Sequence, residues 1–260
     1  MIDGLRVDAA ATAGWPDLID ELGRWGEAGR VAPLWWRDDD AVAATPQLAA
    51  LLRLAAGVPF AIAVIPALAR PDLAAALTDA GAVAVLQHGW QHANRAGDGK
   101  KSEYPHGRPA AVVGAEIGAG RARLRSMFGA RFLPVLVPPW NRISGAVVPR
   151  LREYGVVGLS TIASRRGPCL PAGSVPLIDV HVDVVDWRGD RGFVGIAAAL
   201  GRLVSHLRAA RAAADATLPI GILTHHLVMD RATAAFLAQL IDVTRSHGAA
   251  RWAGVGEFLA

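Results

Sequence analysis

The sequence predicts a single-domain α/β protein whose parallel strands close into a barrel. Three observations carry that reading. Short apolar runs alternate with amphipathic, helix-spaced stretches along the whole chain, the pattern of a parallel sheet covered by helices. No linker, composition break or short-period repeat divides the 260 residues. Polar and ionisable clusters follow the ends of different apolar runs, at 38–40, His88, 138–142, 183–186 and His225. In a barrel those strand ends ring one mouth, whereas an open sheet would spread them along an edge.

The elements follow in order. Trp15, Leu18, Ile19, Leu22 and Trp25 recur at helical spacing, with Pro16 near the start, and predict a helix over 14–26 that covers one end of the core. We therefore divide the chain into an N-terminal helical extension, 1–30, and a barrel, 31–260. A first strand over 33–37 runs into Asp38-Asp39-Asp40. Thr45, followed by Pro46, caps a helix that stops at Gly57. Strands over 59–65 and 83–86 bracket a helix over 71–80. A polar loop, 93–108, is long enough to predict a lid. Beyond it come a helix over 110–127, a strand over 133–137 and a helix over 145–154. The last strands fall at 156–160, 177–182 and 220–224, with helices over 194–214 and 232–247. The total is seven strands.

Composition narrows the function. Hydrophobic residues make up 52% of the chain and charged residues 19%, so a large core can be buried. No apolar stretch approaches the roughly 18 uninterrupted residues of a membrane span. The first residues carry an acid early and lack the apolar core of a secretion signal, which predicts a soluble, cytoplasmic protein. The net charge is +4, but the basic residues are scattered, so no nucleic-acid partner is expected. Cys169 is the single cysteine, which excludes an internal disulfide and a thiolate metal cluster; it reads as a spectator. Lys100 and Lys101 are the only lysines, and with Glu103 they lie in the lid, where they could read a substrate.

Five segments carry chemistry. Three adjacent carboxylates, Asp38-Asp39-Asp40, repel one another unless a cation or basic partner is close, whereas a turn or cap would need only one. His88 and His92 follow an apolar strand; if the chain there curls into a helical turn, histidines four apart share a face and can grip one ion. Val137-Pro138-Pro139-Trp140-Asn141-Arg142 is stiffened by two prolines and presents an aromatic beside polar groups. Asp183-Val184-Val185-Asp186-Trp187 and Leu223-Thr224-His225-His226 place acids, an aromatic and two histidines at two further strand ends. His106, His181, His206 and His247 have no comparable context.

In this order and spacing, Asp39-Asp40, His88 to His92, Pro139-Trp140, Asp183 to Trp187 and Leu223-Thr224-His225 resemble the polysaccharide deacetylase, or NodB-homology, family. The resemblance covers about residues 31 to 230. It implies an α/β fold of the distorted (β/α)7-type barrel and a hydrolase that removes acetyl groups from N-acetylated sugars with a divalent metal, often zinc. On that resemblance Asp40, His88 and His92 are the metal ligands, Asp39 the general base, His225 the general acid and Asp183 the carboxylate that orients it. Trp90, Trp140, Asn141, Arg142 and Trp187 are the expected substrate contacts. An Asp38-Asp39 register is the alternative; we prefer Asp39-Asp40 because Ala41 supplies the small residue that follows the family's pair.

Two departures stand out. The family's proline segment begins with an arginine that pairs with the base aspartate, and Val137 lies there instead; Arg142 and Arg37 are the two candidates to replace it. Family members acting on exported polymers also carry export signals. The expected partner is thus an N-acetylated saccharide or a small amide. Two rivals remain: a metal-dependent hydrolase of a non-sugar, cyclic or formamide-type amide, and a non-catalytic carbohydrate-binding barrel with mouth tryptophans Trp36, Trp90, Trp140 and Trp187.

Overall fold

The computed structural model describes residues 11–163, 173–213 and 219–259; Cys169 lies outside them. Seven parallel strands curl in the order β5-β4-β3-β2-β1-β7-β6: β1 (Ala32–Ala41), β2 (Phe60–Val64), β3 (Val83–His88), β4 (Phe132–Val137), β5 (Gly158–Leu159), β6 (Val180–Asp183) and β7 (Ile220–Thr224). An eighth, β8 (Ala250–Trp252), pairs with the start of β1. The two edges meet. Backbone bonds join Leu159 N to Pro176 O, Ile178 N to Leu159 O, Val180 N to Thr161 O and Ala163 N to Val180 O. The result is the distorted (β/α)7 barrel.

The helices are α1 (Trp15–Glu27), α2 (Pro46–Leu54), α3 (Pro71–Leu77), α4 (Ala110–Phe128), α5 (Ile196–Ala212) and α6 (Arg231–Ser246). Thr45 caps α2 as its sequence position predicts, its Oγ1 accepting from Leu48 N at 3.0 Å. Strand alternation separates two cores. Trp35, Ala61, Ala63, Leu86, Val135, Val137, Val180 and Leu223 fill the barrel interior. Trp36, Ile62, Val64, Val85 and Ile222 face the helices in a larger cluster. Leu18, Leu22 and Trp25 of α1 are buried in that same outer cluster, and Glu21 of α1 is paired with Arg211 of α5 at 2.7 Å. α1 is packed on the flank of the barrel.

Several sequence expectations need correction. Residues 145–154 form a short 3₁₀ turn, Val148–Arg150, with turns around it, because Pro149 cannot donate to a helical ladder. His88 ends β3 and residues 89–92 are a loop, not a helical turn. β1 continues through the three aspartates, β5 is shorter than expected, and β8 was not foreseen. Trp36 is not at the mouth: it is fully buried in the outer cluster, donating through Nε1 to Thr224 Oγ1.

β6 carries a bulge that inserts His181 between Val180, opposite Gly221, and Val182, opposite Ile222. Gly221 N donates to His181 Nδ1 at 3.0 Å. A side chain at 221 would collide with Trp35 Nε1 and the Val180 backbone, so glycine is required there. His181 meets His206 of α5 edge-on at 4.6 Å. Burial lowers the two pKa values, from 6.5 to about 3 for His181 and to about 4 for His206. Between pH 6.5 and about 4 the unfolded chain binds protons that the folded chain refuses, so stability falls on acidification through that window. We predict that His206→Leu removes on the order of 1–2 kcal/mol of that loss, read as a shallower decline of the thermal midpoint over the same pH range.

Candidate metal centre and active site

The three carboxylates of β1 are resolved by giving each a different partner. Alternation turns Asp38 towards the helix layer and Asp39 into the barrel. Asp38 is fully buried; its Oδ1 lies 2.5 Å from His226 Nδ1, and its Oδ2 accepts from Thr224 Oγ1 at 2.6 Å. Burial alone would lower the His226 pKa, but the Asp38 contact outweighs it and raises the value. Asp39 receives a bidentate pair from Arg37, Nε to Oδ1 at 2.9 Å and Nη2 to Oδ2 at 3.0 Å. Asp40 would point away from Asp39 in a regular strand. An irregularity in the β1–β2 register between Asp38 and Ala41, with Asp40 at φ 71°, brings it to the mouth instead.

There Asp40 meets both histidines. His88 Nε2 is 3.0 Å from Asp40 Oδ1 and His92 Nε2 is 3.4 Å from the same atom. One ligand atom from each of the three residues lies within 4.8 Å of the others. His88 Nδ1 is 2.9 Å from Val137 O, which requires the proton on Nδ1 and leaves Nε2 to serve as a ligand. His92 comes round because Gly89 has φ 60° and His92 itself φ 56°. Burial would raise the Asp40 pKa, yet the His88 bond and the charges of His88, His225 and His92 hold it well below the usual carboxylate range. Burial would lower His88, which Asp40 and Asp39 raise instead; burial and the His88 charge lower His92. Two imidazoles and one carboxylate at this separation fit a catalytic divalent ion with positions left open.

Arg37 answers the missing arginine. It is fully buried and reaches across the barrel interior: Nη2 donates to Asn141 Oδ1 at 2.6 Å and Nη1 to Ser160 Oγ at 2.6 Å. Val137, at the expected position, packs in the inner core. Arg142 is exposed and donates to Lys101 O at 3.0 Å.

The other expected contacts sort as follows. Trp140 has φ 56° and lies against His92 at 4.4 Å. Asn141, with the same φ, spends its side-chain oxygen on Arg37. Trp187 is 46% exposed, stands edge-on to His225 at 4.7 Å and donates Nε1 to Asp183 Oδ2 at 2.8 Å. Asp183 Oδ1 accepts from Val185 N at 3.0 Å, so the carboxylate is held by its own loop, and His225 Nδ1 is buried without a hydrogen-bond partner among the described residues. Burial pushes the Asp183 carboxyl up, while the charge of His225 opposes that shift. Trp90 is half-buried, its carbonyl accepting from Ala67 N. Glu103 is not a solvated lid residue: it is fully buried beneath the histidine loop. Lys100 and Lys101 are exposed. Sequence reasoning missed the Asp38–His226 pair and the place of Glu103; the third aspartate and the second of two adjacent histidines were the available signal for the first.

Residues from β1, β3, the turn after β4, the end of β6 and the residue after β7 thus meet at one mouth of the barrel. No family model matches the chain, and no curated protein matches it. Solved structures do. A Mycobacterium smegmatis protein assigned to the polysaccharide deacetylases aligns over 97% of this chain and 93% of its own, at TM-score 0.65 and 18% identity. A family 4 acetyl xylan esterase from Clostridium thermocellum, in complex with a cobalt ion, aligns over 87% and 89%, at 0.52 and 17%. The PuuE allantoinase aligns over 88% and 89%, at 0.57 and 16%. The fold is that of the NodB-homology deacetylases.

Replacing Arg37 tests the buried pair. Arg37→Met leaves the Asp39 carboxylate without its cation and is expected to cost about 3–5 kcal/mol of stability, measured by urea unfolding. Adding Asp39→Asn to that variant should recover much of the loss, because no buried charge then remains.

Proposed function

We propose that this chain is a divalent-metal-dependent hydrolase of a carbon–nitrogen amide bond, and that it removes the acetyl group from an N-acetylated sugar. The observation that carries the reading is the meeting of Asp40, His88 and His92 within one coordination sphere, beside an Arg37-paired Asp39 and opposite His225. The donor set suits zinc. When bound, the ion supplies Lewis acidity towards the amide carbonyl and lowers the pKa of water to about 7.

The chain's own groups then have separate tasks. Asp39 takes the proton of the attacking water, and the Arg37 fork holds its carboxylate through two bonds. On this reading a backbone N–H near Trp140 receives the carbonyl oxygen as it gains charge. His225 gives a proton to the departing nitrogen, so that amide and water yield a carboxylate and an amine. Asp183 lies close enough to His225 for the two to interact electrostatically. Trp140 and Trp187 flank the opening and offer flat apolar faces to a sugar ring.

The likeness to an allantoinase supports a second reading, hydrolysis of a cyclic non-sugar amide at the same centre. A non-catalytic sugar-binding barrel loses its main support, since Arg37 supplies the cation beside Asp39 that Val137 does not.

Two measurements test this. Acetate release from N-acetylated sugars should depend on added divalent metal and vanish with a chelator; ring opening of a cyclic amide in its place would select the second reading. His92→Ala is expected to abolish metal binding and bring turnover to background while the circular dichroism spectrum stays that of the folded chain. Full activity in that variant would refute the ligand assignment.

A further inference from the structure

His88 and His92 reach the same oxygen of Asp40, but they are held in different ways. His88 is fixed through its side chain, Nδ1 being bonded to Val137 O at 2.9 Å. The His92 ring meets Asp40 at 3.4 Å and lies against the Trp140 indole and the His88 ring. Its position rests on its backbone, which sits at φ 56° in a loop of otherwise irregular geometry. Something has to hold that backbone.

A buried carboxylate does. Glu103, with no exposed surface, accepts from Trp90 N at 3.0 Å through Oε2, and from Gln91 N at 2.9 Å and Ala93 N at 3.4 Å through Oε1. All three donors lie in the segment between and just after the two histidines. Gly89 is part of the same fit: a Cβ there would lie 2.0 Å from Glu103 Oε2 and 2.7 Å from the Pro139 ring. Glu103 is itself located from behind, since Arg108 donates to its carbonyl at 3.0 Å and is clamped by Glu116 at 2.8 Å on both nitrogens. The carboxylate ties Ala93 to Glu103 and so closes the first part of the 93–108 loop.

We propose that Glu103 is the positioning residue for the second histidine ligand, and that it sets metal affinity by holding the His88–His92 loop in its ligating conformation. This rests on the metal reading of the site. Glutamine at 103 is the sharpest probe, because it keeps shape while replacing one accepting oxygen with an NH₂. Either orientation turns a donor towards a backbone N–H that needs an acceptor.

The test is a titration of metal-free protein with Zn²⁺ and Co²⁺, with the Co²⁺ visible spectrum read alongside, for wild type, Glu103→Gln, Glu103→Asp and Glu116→Gln. Groups that orient a metal-ligating histidine typically shift affinity by about 10–100-fold. We expect that loss in Glu103→Gln with an altered Co²⁺ spectrum, and a smaller loss in Glu103→Asp, which keeps the charge one methylene short. Glu116→Gln, which weakens the Arg108 support behind Glu103, should lower the thermal midpoint with a smaller loss of metal affinity than Glu103→Gln, which separates positioning from general loosening of the loop. Wild-type affinity in folded Glu103→Gln overturns the assignment; if that variant does not fold, wild-type affinity in Glu103→Asp overturns it instead. A wild-type chain that binds neither ion refutes the metal reading itself, a result distinguishable from either.

Discussion

Three negative charges on successive residues can be buried at the end of one strand only if each finds a different counterpart. That constraint organises the mouth of this barrel. Asp38 turns outward to His226 and Thr224, Asp39 turns inward to Arg37, and Asp40, freed from strand alternation by a bulge, turns up to His88 and His92. The first pair ties the ends of β1 and β7 together from the helix side. The second fills the barrel interior. The third is left at 32% side-chain exposure, the only one of the three with its carboxylate open to the mouth. Removing any one partner would leave an uncompensated charge beside two others, so the three interactions depend on one another.

The backbone shows the cost of this arrangement in one place. Of the five non-glycine residues with positive φ among the described residues, four are Asp40, His92, Trp140 and Asn141. Such conformations persist only where the surroundings over-determine them. Each here has an identifiable hold: the shifted β1–β2 register for Asp40, the Glu103 carboxylate for the loop of His92, and the prolines 138 and 139 together with Arg37 for Trp140 and Asn141. Chemistry-bearing side chains that sit outside the regular ladders are aimed by strain that neighbouring groups hold in place.

This explains what was and was not legible in the sequence. The barrel was legible, because apolar runs and helical spacing are local patterns; Thr45, Pro46 and the buried strand 60–64 report themselves directly. The segment 145–154 misled because its helical spacing competes with Pro149, and the proline won. The histidine pair was legible as a motif, but a helical turn was the wrong geometry for it: glycine and positive φ do the work that helix periodicity was expected to do. Trp36 and Asp38 read as site residues because they adjoin it in sequence, whereas in a strand alternate residues belong to opposite faces. Glu103 stayed hidden because its role depends on backbone donors in another loop, and no side-chain motif records those.

Arg37 shows how one electrostatic requirement can be met from another place in the chain. An arginine at position 137 would approach Asp39 from the end of β4; Arg37 approaches it from two residues before, on the same strand and the same face. Because Arg37 points into the barrel, its guanidinium is not limited to that carboxylate, and its remaining donors span to Asn141 beyond β4 and to Ser160 beyond β5. Position 137 is then free to be apolar, and valine there packs with Val135 and Leu86 in the inner core. A planar five-donor group suits this task in a way a lysine would not, since the fork fixes Asp39 through two bonds and still satisfies two other strand ends. The charge pairing and the interior packing of the barrel are therefore the same feature, and neither can be changed without the other.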